Sequence, residues 1–238
     1  MGLGLNAAHD TAFTNYELTP ITQIQLAAPD ANRETVASYK SEFGLWIIAC
    51  GLRETIETFV VFLDEIHKIC KQMAMIREKI TVENPEALDK KFTFKGIDKK
   101  LFHLKSKFRI ESASANYLVG INKVRNCLTH RRGIVGAEDC MEGDELIVKW
   151  MGLDIQIVTP SGEVINTLPM LKEGFALPKG GNIIIKNSER VRFFKKGASI
   201  ELSPKDLAEV CYLTLRATDE IVLSAVNYAE SIGVKKVN

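Results

Sequence analysis

The pattern of apolar and polar positions divides the chain into a helical first half, a middle part of strand character and a helical end. Between residues 32 and 80, apolar side chains recur at spacings of three and four and proline is absent, which predicts one long helix. Gly44 and Gly51 each lower the helix propensity by about 1 kcal/mol relative to alanine, so we expect a kink or a break there. This helix is the expected centre of a bundle.

Two shorter helices are predicted to follow. Apolar residues spaced by four, three and four predict the second helix: Ile97, Leu101, Leu104 and Phe108. Its other faces carry basic residues: Lys99, Lys100, Lys105, Lys107 and Arg109. We interpret them as a solvated face, with an electrostatic lane for a nucleic-acid backbone as the alternative. The third helix is predicted to run from Ser112 or Ser114 to His130, with Gly133 just past its end.

Residues 144–202 change to short runs that alternate or are β-branched, which predicts a small antiparallel sheet of four to six short strands. The predicted strands are Glu145–Trp150, Asp154–Thr159, Glu163–Thr167, Asn182–Lys186, Val191–Phe194 and Ser199–Leu202. Pro160-Ser161-Gly162 is typical of a hairpin turn between two of them.

The chain then returns to helix at a clear start signal. Ser203 is a suitable N-cap, Pro204 fits the first helical position and Asp206 falls in the first turn. The predicted fold class is therefore mainly α, α+β overall: an antiparallel four-helix bundle with a small antiparallel sheet inserted before the last helix. The bundle takes residues 32–138 and 203–238, the β insertion takes residues 139–202, and residues 1–31 form an irregular N-terminal arm.

Composition narrows the function classes. The 238 residues carry a formal net charge of +1, which excludes a globally basic nucleic-acid binder and requires any such contact to come from a local patch. Five cysteines without a C-x-x-C pair indicate reduced thiols and no zinc site. No apolar stretch is long enough to span a membrane, so we expect a cytoplasmic protein without a membrane contact. We expect neither a metal nor another cofactor.

The groups capable of chemistry concentrate in residues 124–135: Arg125, Asn126, His130, Arg131 and Arg132. Histidine serves as acid or base near neutral pH, and the arginine fork matches the oxygens of a phosphate. On a regular helix Asn126 and His130 share a face, so Asn126 is expected to orient the imidazole. Arg125 and His130, however, diverge by about 140°. His130 must then lie where the helix frays, or a second chain must complete the site.

Structural interpretations of the same residues stand beside this one. His130, Arg131 and Arg132 suit a helix C-terminus, where cations oppose exposed carbonyl groups. Arg125 is expected to form an ion pair with Glu54 or Glu57 of the long helix, and Glu54 would then hold Arg125 in place. Cys127 is interpreted as a buried structural thiol, and His9, His67 and His103 as surface or packing residues. The acidic residues after the motif are interpreted as a solvated turn: Asp139, Glu142, Asp144 and Glu145.

The segment Arg125-Asn126-x-x-x-His130 resembles the R-x(4–6)-H signature of the HEPN superfamily (higher eukaryotes and prokaryotes nucleotide-binding domain). The resemblance covers roughly residues 33–138 and 199–232, where the four helices are expected. It implies a metal-independent endoribonuclease, often a toxin or a phage-defence effector, whose site forms between two copies in a homodimer.

By this resemblance Arg125, Asn126 and His130 are catalytic, Arg131 and Arg132 bind RNA, and an antitoxin or a nucleotidyltransferase is a further partner. Other members of the family have no catalysis. The alternative is therefore a non-catalytic dimeric module that binds RNA, a nucleotide or a protein.

Overall fold

The structure, a computed structural model, describes residues 32–78, 90–140, 143–165 and 180–234. The helices are α1 (Arg33–Glu78), α2 (Ile97–Phe108), α3 (Ala113–His130) and α4 (Pro204–Ser231), with a further helical turn at residues 90–93. Between α3 and α4 the chain forms an antiparallel sheet of β1 (Glu145–Val158), β2 (Val164–Ile165) and β3 (Asn182–Lys195). The predicted class, mainly helical with a sheet inserted before the last helix, is confirmed. The predicted arm at residues 1–31 and Glu142 lie outside the described residues.

The long first helix, α1, is continuous over 46 residues. Its core stripe consists of Leu52, Ile56 and Phe59, which are almost completely buried. The expected break at Gly44 or Gly51 is not observed. Both glycines are buried, and tertiary packing of this kind overrides the low helix propensity of a single residue.

The helices do not all run antiparallel to their neighbours. Near the middle of α1, Thr55 Oγ1 lies 3.6 Å from Cys211 Sγ of α4. At the end of α1, Arg77 lies beside Gly233, just after α4. The two helices are therefore parallel, and the expected antiparallel arrangement of the whole bundle is not observed. The start of α3 lies beside the second half of α4, so α3 runs antiparallel to α4.

The N-terminus of α3 is fixed by side chains that accept hydrogen bonds from its free backbone N–H groups. Ser112 Oγ accepts from Ala115 N at 2.9 Å, so Ser112, one of the two predicted starting points, is the N-cap. The carboxylate of Glu220 on α4 accepts from Ser114 N at 3.0 Å and from the hydroxyls of Ser112 and Ser114, each at 2.7 Å. One acidic side chain thus sets where α3 begins relative to α4.

The start of α4 follows its sequence signal. Ser203 and Asp206 form a reciprocal capping box, with Ser203 Oγ accepting from Asp206 N and Asp206 Oδ2 accepting from Ser203 N. Pro204 occupies the first helical position, where a missing N–H costs no hydrogen bond. The predicted start of this helix is confirmed.

The inserted sheet consists mainly of one long two-stranded ribbon. β1 and β3 pair over 14 residues each, from Glu145 opposite Lys195 to Val158 opposite Asn182. For the described residues the prediction of four to six short strands was wrong, because four of the predicted runs merge into these two strands. Residues 166–167 of the predicted strand Glu163–Thr167 lie outside the described residues. The hairpin turn before β2 is confirmed by the bond from Gly162 N to Thr159 O at 2.9 Å. The predicted strand Ser199–Leu202 contributes only an isolated bridge to Ile134.

A buried polar network attaches the ribbon to α4. Trp150 Nε1 of β1 donates to Glu209 Oε2 at 2.9 Å, and Arg190 Nη2 of β3 lies 3.0 Å from Glu209 Oε1 and 2.6 Å from Asp154 Oδ1. The hydrogen bonds to Glu209 and then to Asp154 raise the pKa of Arg190 above its ordinary value. Gly152 leaves room for this network, since a Cβ there would lie 2.4 Å from Arg190 Nε.

Candidate functional site

The end of α3 carries the residues that the sequence singles out. The inner face of the helix is held in the core by Ile121, Val124 and Cys127, which are all buried. This packing fixes the rotation of the helix, and therefore the directions in which Arg125, Asn126 and His130 leave it. His130 is the last residue of α3 and is exposed, whereas Arg125 and Asn126 are partly buried.

Arg125 is partly buried in the last turns of α3. Its Nη1 donates to Asn126 Oδ1 at 3.0 Å, so these two predicted site residues are in contact. Its Nε is buried and, within the described part of the chain, is the one such side-chain polar atom without a hydrogen-bond partner. A buried donor left unpaired costs about 1–3 kcal/mol. The guanidinium is therefore fixed by its bond to Asn126 and not by Nε.

The expected ion pair of Arg125 with α1 is not observed. Glu54 and Glu57 are both exposed, and no ion pair in the described ranges joins either of them to Arg125. No ion pair in the described residues therefore supports the role expected for Glu54. The reason is the orientation of α1, whose buried stripe turns these carboxylates toward solvent.

The open face of α3 brings a further cation to the site. Lys123, Asn126 and His130 are spaced by three and four and therefore share this face, while Arg125 points about 140° away from His130. Asn126 is engaged by Arg125, and the expected bond from Asn126 to the imidazole is not observed. Lys123 was not predicted as a site residue from the sequence, although its spacing of seven residues from His130 places both on one face of the helix.

Arg131 has a structural partner. Its Nε donates to Asp139 Oδ2 at 2.9 Å and its Nη2 to Asp139 Oδ1, while Nη1 lies 3.3 Å from Glu138 Oε1. Asp139 is only 3% exposed and also accepts from Gly136 N at 2.9 Å. The interpretation of Asp139 as part of a solvated turn was wrong. The fork of Arg131, expected to bind RNA, is committed to this carboxylate.

Arg132 is presented to solvent by an unusual backbone conformation. Its φ of +54° is in the left-handed region, which residues other than glycine rarely adopt. The next residue, Gly133, donates to Cys127 O at 3.1 Å and accepts from Ile200 N at 2.8 Å, so the backbone on this side is fixed. Arg132 is exposed immediately beyond the helix that carries His130. Of the two arginines expected to bind RNA, it is the one with an accessible guanidinium.

The thiol of Cys127 is structural. It is fully buried and donates to Ile134 O at 3.1 Å. Burial, and then the negative charge of Asp139, raise the pKa of Cys127 to about 11. The thiol therefore stays protonated near neutral pH and is no nucleophile there, as the sequence predicts.

The basic helix α2 is only partly solvated. Lys100 is buried, forms an ion pair with Asp64 of α1 and lies 5.0 Å from the centre of the Phe92 ring. The interpretation of Lys100 as part of a solvated face was therefore wrong. The remaining basic residues of this helix are exposed: Lys99, Lys105, Lys107 and Arg109.

Two other histidines pack between α1 and α2. The ring of His67 is buried and stacks on Phe92 with centroids 3.9 Å apart and planes 6° apart. The ring of His103 packs against both, and burial followed by the charges of Lys95 and Lys107 lowers its pKa. The interpretation of these two residues as packing histidines is confirmed.

Two further findings concern the described residues alone. No group of three or more histidine, cysteine or acidic side chains among them is arranged to hold a metal ion. None of their helices has both the length and the apolar character that crossing a bilayer requires.

Comparisons with protein-family models, with curated proteins and with solved structures gave no match. The geometry at the end of α3 therefore carries the functional interpretation.

Proposed function

We propose that the protein is a metal-independent endoribonuclease of HEPN type, in which a homodimer brings two copies of the Arg125–His130 segment to one scissile phosphodiester. The observation that carries this proposal is an exposed imidazole at the end of α3, five residues after a guanidinium that donates to Asn126. A HEPN-like grouping of the four helices is part of the proposal.

Cleavage of RNA without a metal needs three kinds of group. A base removes the proton of the ribose 2′-OH, whose oxygen then attacks phosphorus; an acid protonates the departing 5′-oxygen; cations stabilise the charge on the phosphorus oxygens. The products are a 2′,3′-cyclic phosphate and a 5′-hydroxyl. His130 of one copy supplies the base and His130 of the other supplies the acid. Arg125 donates to the non-bridging oxygens.

A single chain does not assemble these groups. Arg125 and His130 point in different directions from α3, and each chain offers one imidazole there. A two-fold contact repeats the same patch on both copies and so doubles every group without further sequence. Because α1, α4 and β1 pack against α3, we place the contact at its C-terminal end, which carries both Arg125 and His130. Lys123 on the open face of α3 and Arg132 beyond its end bind the flanking phosphates.

The test is cleavage of single-stranded RNA in EDTA. Wild type should produce 2′,3′-cyclic phosphate ends, and His130→Ala and Arg125→Ala should each abolish cleavage while keeping the helical circular dichroism signal. Thr129→Ala, an exposed neighbour on the same turn, is the matched control and should cleave normally. A requirement for Mg²⁺, or cleavage that survives both substitutions, would overturn the proposal.

The second candidate is a non-catalytic dimeric module that binds RNA, a nucleotide or a protein. It is favoured by the ribbon, whose strand β3 exposes large apolar side chains such as Phe193 and Ile183. RNA that is bound but recovered intact, equally by wild type and His130→Ala, would select this function.

A toxin or phage-defence role uses the same site under the control of an antitoxin or a nucleotidyltransferase. Growth arrest on expression that His130→Ala relieves would support this role. Arrest that persists in His130→Ala would exclude it.

A further inference from the structure

An open groove of about 440 Å³ lies between α2 and the first turns of α3. Leu101, Val119 and the buried Ile221 give it apolar walls. Its volume falls within the range of about 300–1,000 Å³ that small-ligand sites occupy. None of the residues assigned above to RNA cleavage lines the groove, so it is a binding site of its own.

Phe102 of α2 lines this groove and is 73% exposed. One helical turn away on either side are Lys99 and Lys105, which are also exposed and share its face of the helix. An accessible aromatic ring therefore lies between two cations. Proteins bind single strands of nucleic acid with this combination, in which a base stacks on the ring and cations hold the backbone.

The groove itself is close to neutral, whereas its surroundings are basic. Lys105 Nζ lies 3.3 Å from Glu111 Oε1, and the carboxylate of Asp98 lies at the amino end of α2, close to Gly96. Residues 90–109 nevertheless contain eight basic residues and one acidic residue, in a chain whose net charge is +1. An uncharged base suits the groove, and phosphates suit the basic surface around it.

The open face of α3 leads from the groove to the proposed catalytic histidine. Asn116, which lines the groove, is followed at intervals of seven residues by Lys123 and His130. Seven residues are nearly two full turns, so the three side chains follow one face with a drift of about 20° per interval. At 1.5 Å per residue, Asn116 and His130 are about 21 Å apart along the helix.

We propose that the groove binds one base of a single-stranded RNA, stacked on Phe102, and that the strand continues past Lys123 to His130. Lys99 and Lys105 bind the phosphates on either side of the stacked base. The end of this path at His130 rests on the proposed nuclease function, and the groove specifies the substrate as an unpaired strand. Within a duplex, neighbouring bases cover the faces that stacking on an aromatic side chain requires.

The test is binding of a fluorescein-labelled 2′-O-methyl oligonucleotide, which lacks the 2′-OH that cleavage needs, followed by anisotropy. Phe102→Ala should weaken binding by about tenfold, because it removes the ring on which a base stacks. Phe102→Tyr keeps the ring and should bind as wild type does. Phe193→Ala is the matched control, because this phenylalanine is 62% exposed on β3 and does not line the groove.

Salt dependence separates the contacts with phosphates from the contact with the base. Lys99→Ala and Lys123→Ala should each reduce the slope of log affinity against log salt concentration by about 0.7, because each removes one phosphate contact to a single strand. Phe102→Ala should keep the wild-type slope.

The inference is overturned if wild type does not bind the oligonucleotide at low salt, if Phe102→Ala binds as tightly as wild type, or if Phe193→Ala binds as weakly as Phe102→Ala. An unchanged salt slope in Lys123→Ala would overturn the path along α3. These measurements do not involve cleavage. If the oligonucleotide binds as expected but wild type leaves RNA intact in EDTA, the nuclease proposal fails and the groove site stands.

Discussion

Asp139 is the acidic residue around which the loop after α3 is built. Its buried carboxylate accepts from Nε and Nη2 of Arg131 and from Gly136 N. A buried carboxylate is tolerated only when it is paired and hydrogen-bonded in this way. The pairing gives Arg131 a structural role, whereas Arg132 is exposed to solvent.

The first prediction concerns this pair. Asp139→Asn should lower the free energy of unfolding by about 1–3 kcal/mol, because it removes a charged acceptor from a buried hydrogen-bond set. Urea denaturation measures the change. Glu138→Gln is the control: its carboxylate is exposed and lies 3.3 Å from the same arginine, and exposed pairs contribute about 0–1 kcal/mol. Equal losses in the two variants would contradict the structural role of Asp139.

At the scale of single residues, sequence periodicity located the exposed His130 and the buried Cys127 because both follow from their places on one helix. The burial of Asp139 was not predictable, because it depends on the fold of a loop. A loop has no regular spacing from which contact between residues 131 and 139 could be inferred. Lys123 was predictable from its spacing to His130. Whether Arg125 pairs with Glu54 depends on the rotation of α1 about its axis. The apolar stripe of α1 covers most of the helix, so the sequence did not define this rotation.

At the scale of elements, Glu220 is the acidic residue that joins α4 to the start of α3. Burial acts to raise its pKa, but hydrogen bonds from the Ser114 side chain and backbone and from Ser112, with the charge of Arg216, outweigh burial and hold the pKa below its ordinary value of 4.5. A carboxylate with a lowered folded pKa stabilises the fold above that ordinary value. The contribution is lost as the pH falls through the folded pKa.

The second prediction follows from that sign. Glu220→Gln should destabilise the protein at neutral pH and should flatten the loss of stability between pH 4.5 and more acidic conditions. Thermal unfolding followed across this pH range measures both effects. Glu201→Gln, an exposed acidic residue just before α4, should leave the acid limb unchanged. An acid limb of wild-type steepness in Glu220→Gln would contradict the account.

The helices were predictable to within a few residues because each has an apolar period and most have a cap that is local in sequence. The strands were predictable in place but not in length. Their continuity depends on pairs such as Glu145 with Lys195, which are distant in sequence. The strand β1 also continues through Gly152, where the sequence pattern suggests that the strand is interrupted. In the structure this glycine is needed because Arg190 approaches it closely.

At the scale of the whole molecule, Glu209 couples the ribbon to the helices. The third prediction is that Glu209→Gln lowers the free energy of unfolding by about 2–3 kcal/mol, because it removes the buried charge that pairs with Arg190 and leaves this partly exposed guanidinium with Asp154 alone. Urea denaturation measures it. Lys205→Ala is the control, since this exposed lysine lies 3.8 Å from the same carboxylate and should contribute little. A Glu209→Gln variant as stable as wild type would contradict the role of Glu209 in attaching the ribbon to α4.

The relative directions of the helices could not be predicted from sequence. Periodicity shows which face of a helix is buried but not against which partner or in which direction. The parallel pair of α1 and α4 is defined by contacts such as that between Thr55 and Cys211. The same limit applies to the proposed site, because a residue supplied by a second copy leaves no local signal in one chain.

The most direct measurement of the central claim is complementation between two inactive variants. Arg125→Ala and His130→Ala are purified separately, mixed, allowed to exchange subunits and assayed for RNA cleavage in EDTA. Because a site shared by two copies can take its guanidinium from one chain and its imidazole from the other, the mixture should cleave RNA although neither variant does alone. A mixture that exchanges subunits and stays as inactive as its parents would contradict the composite site.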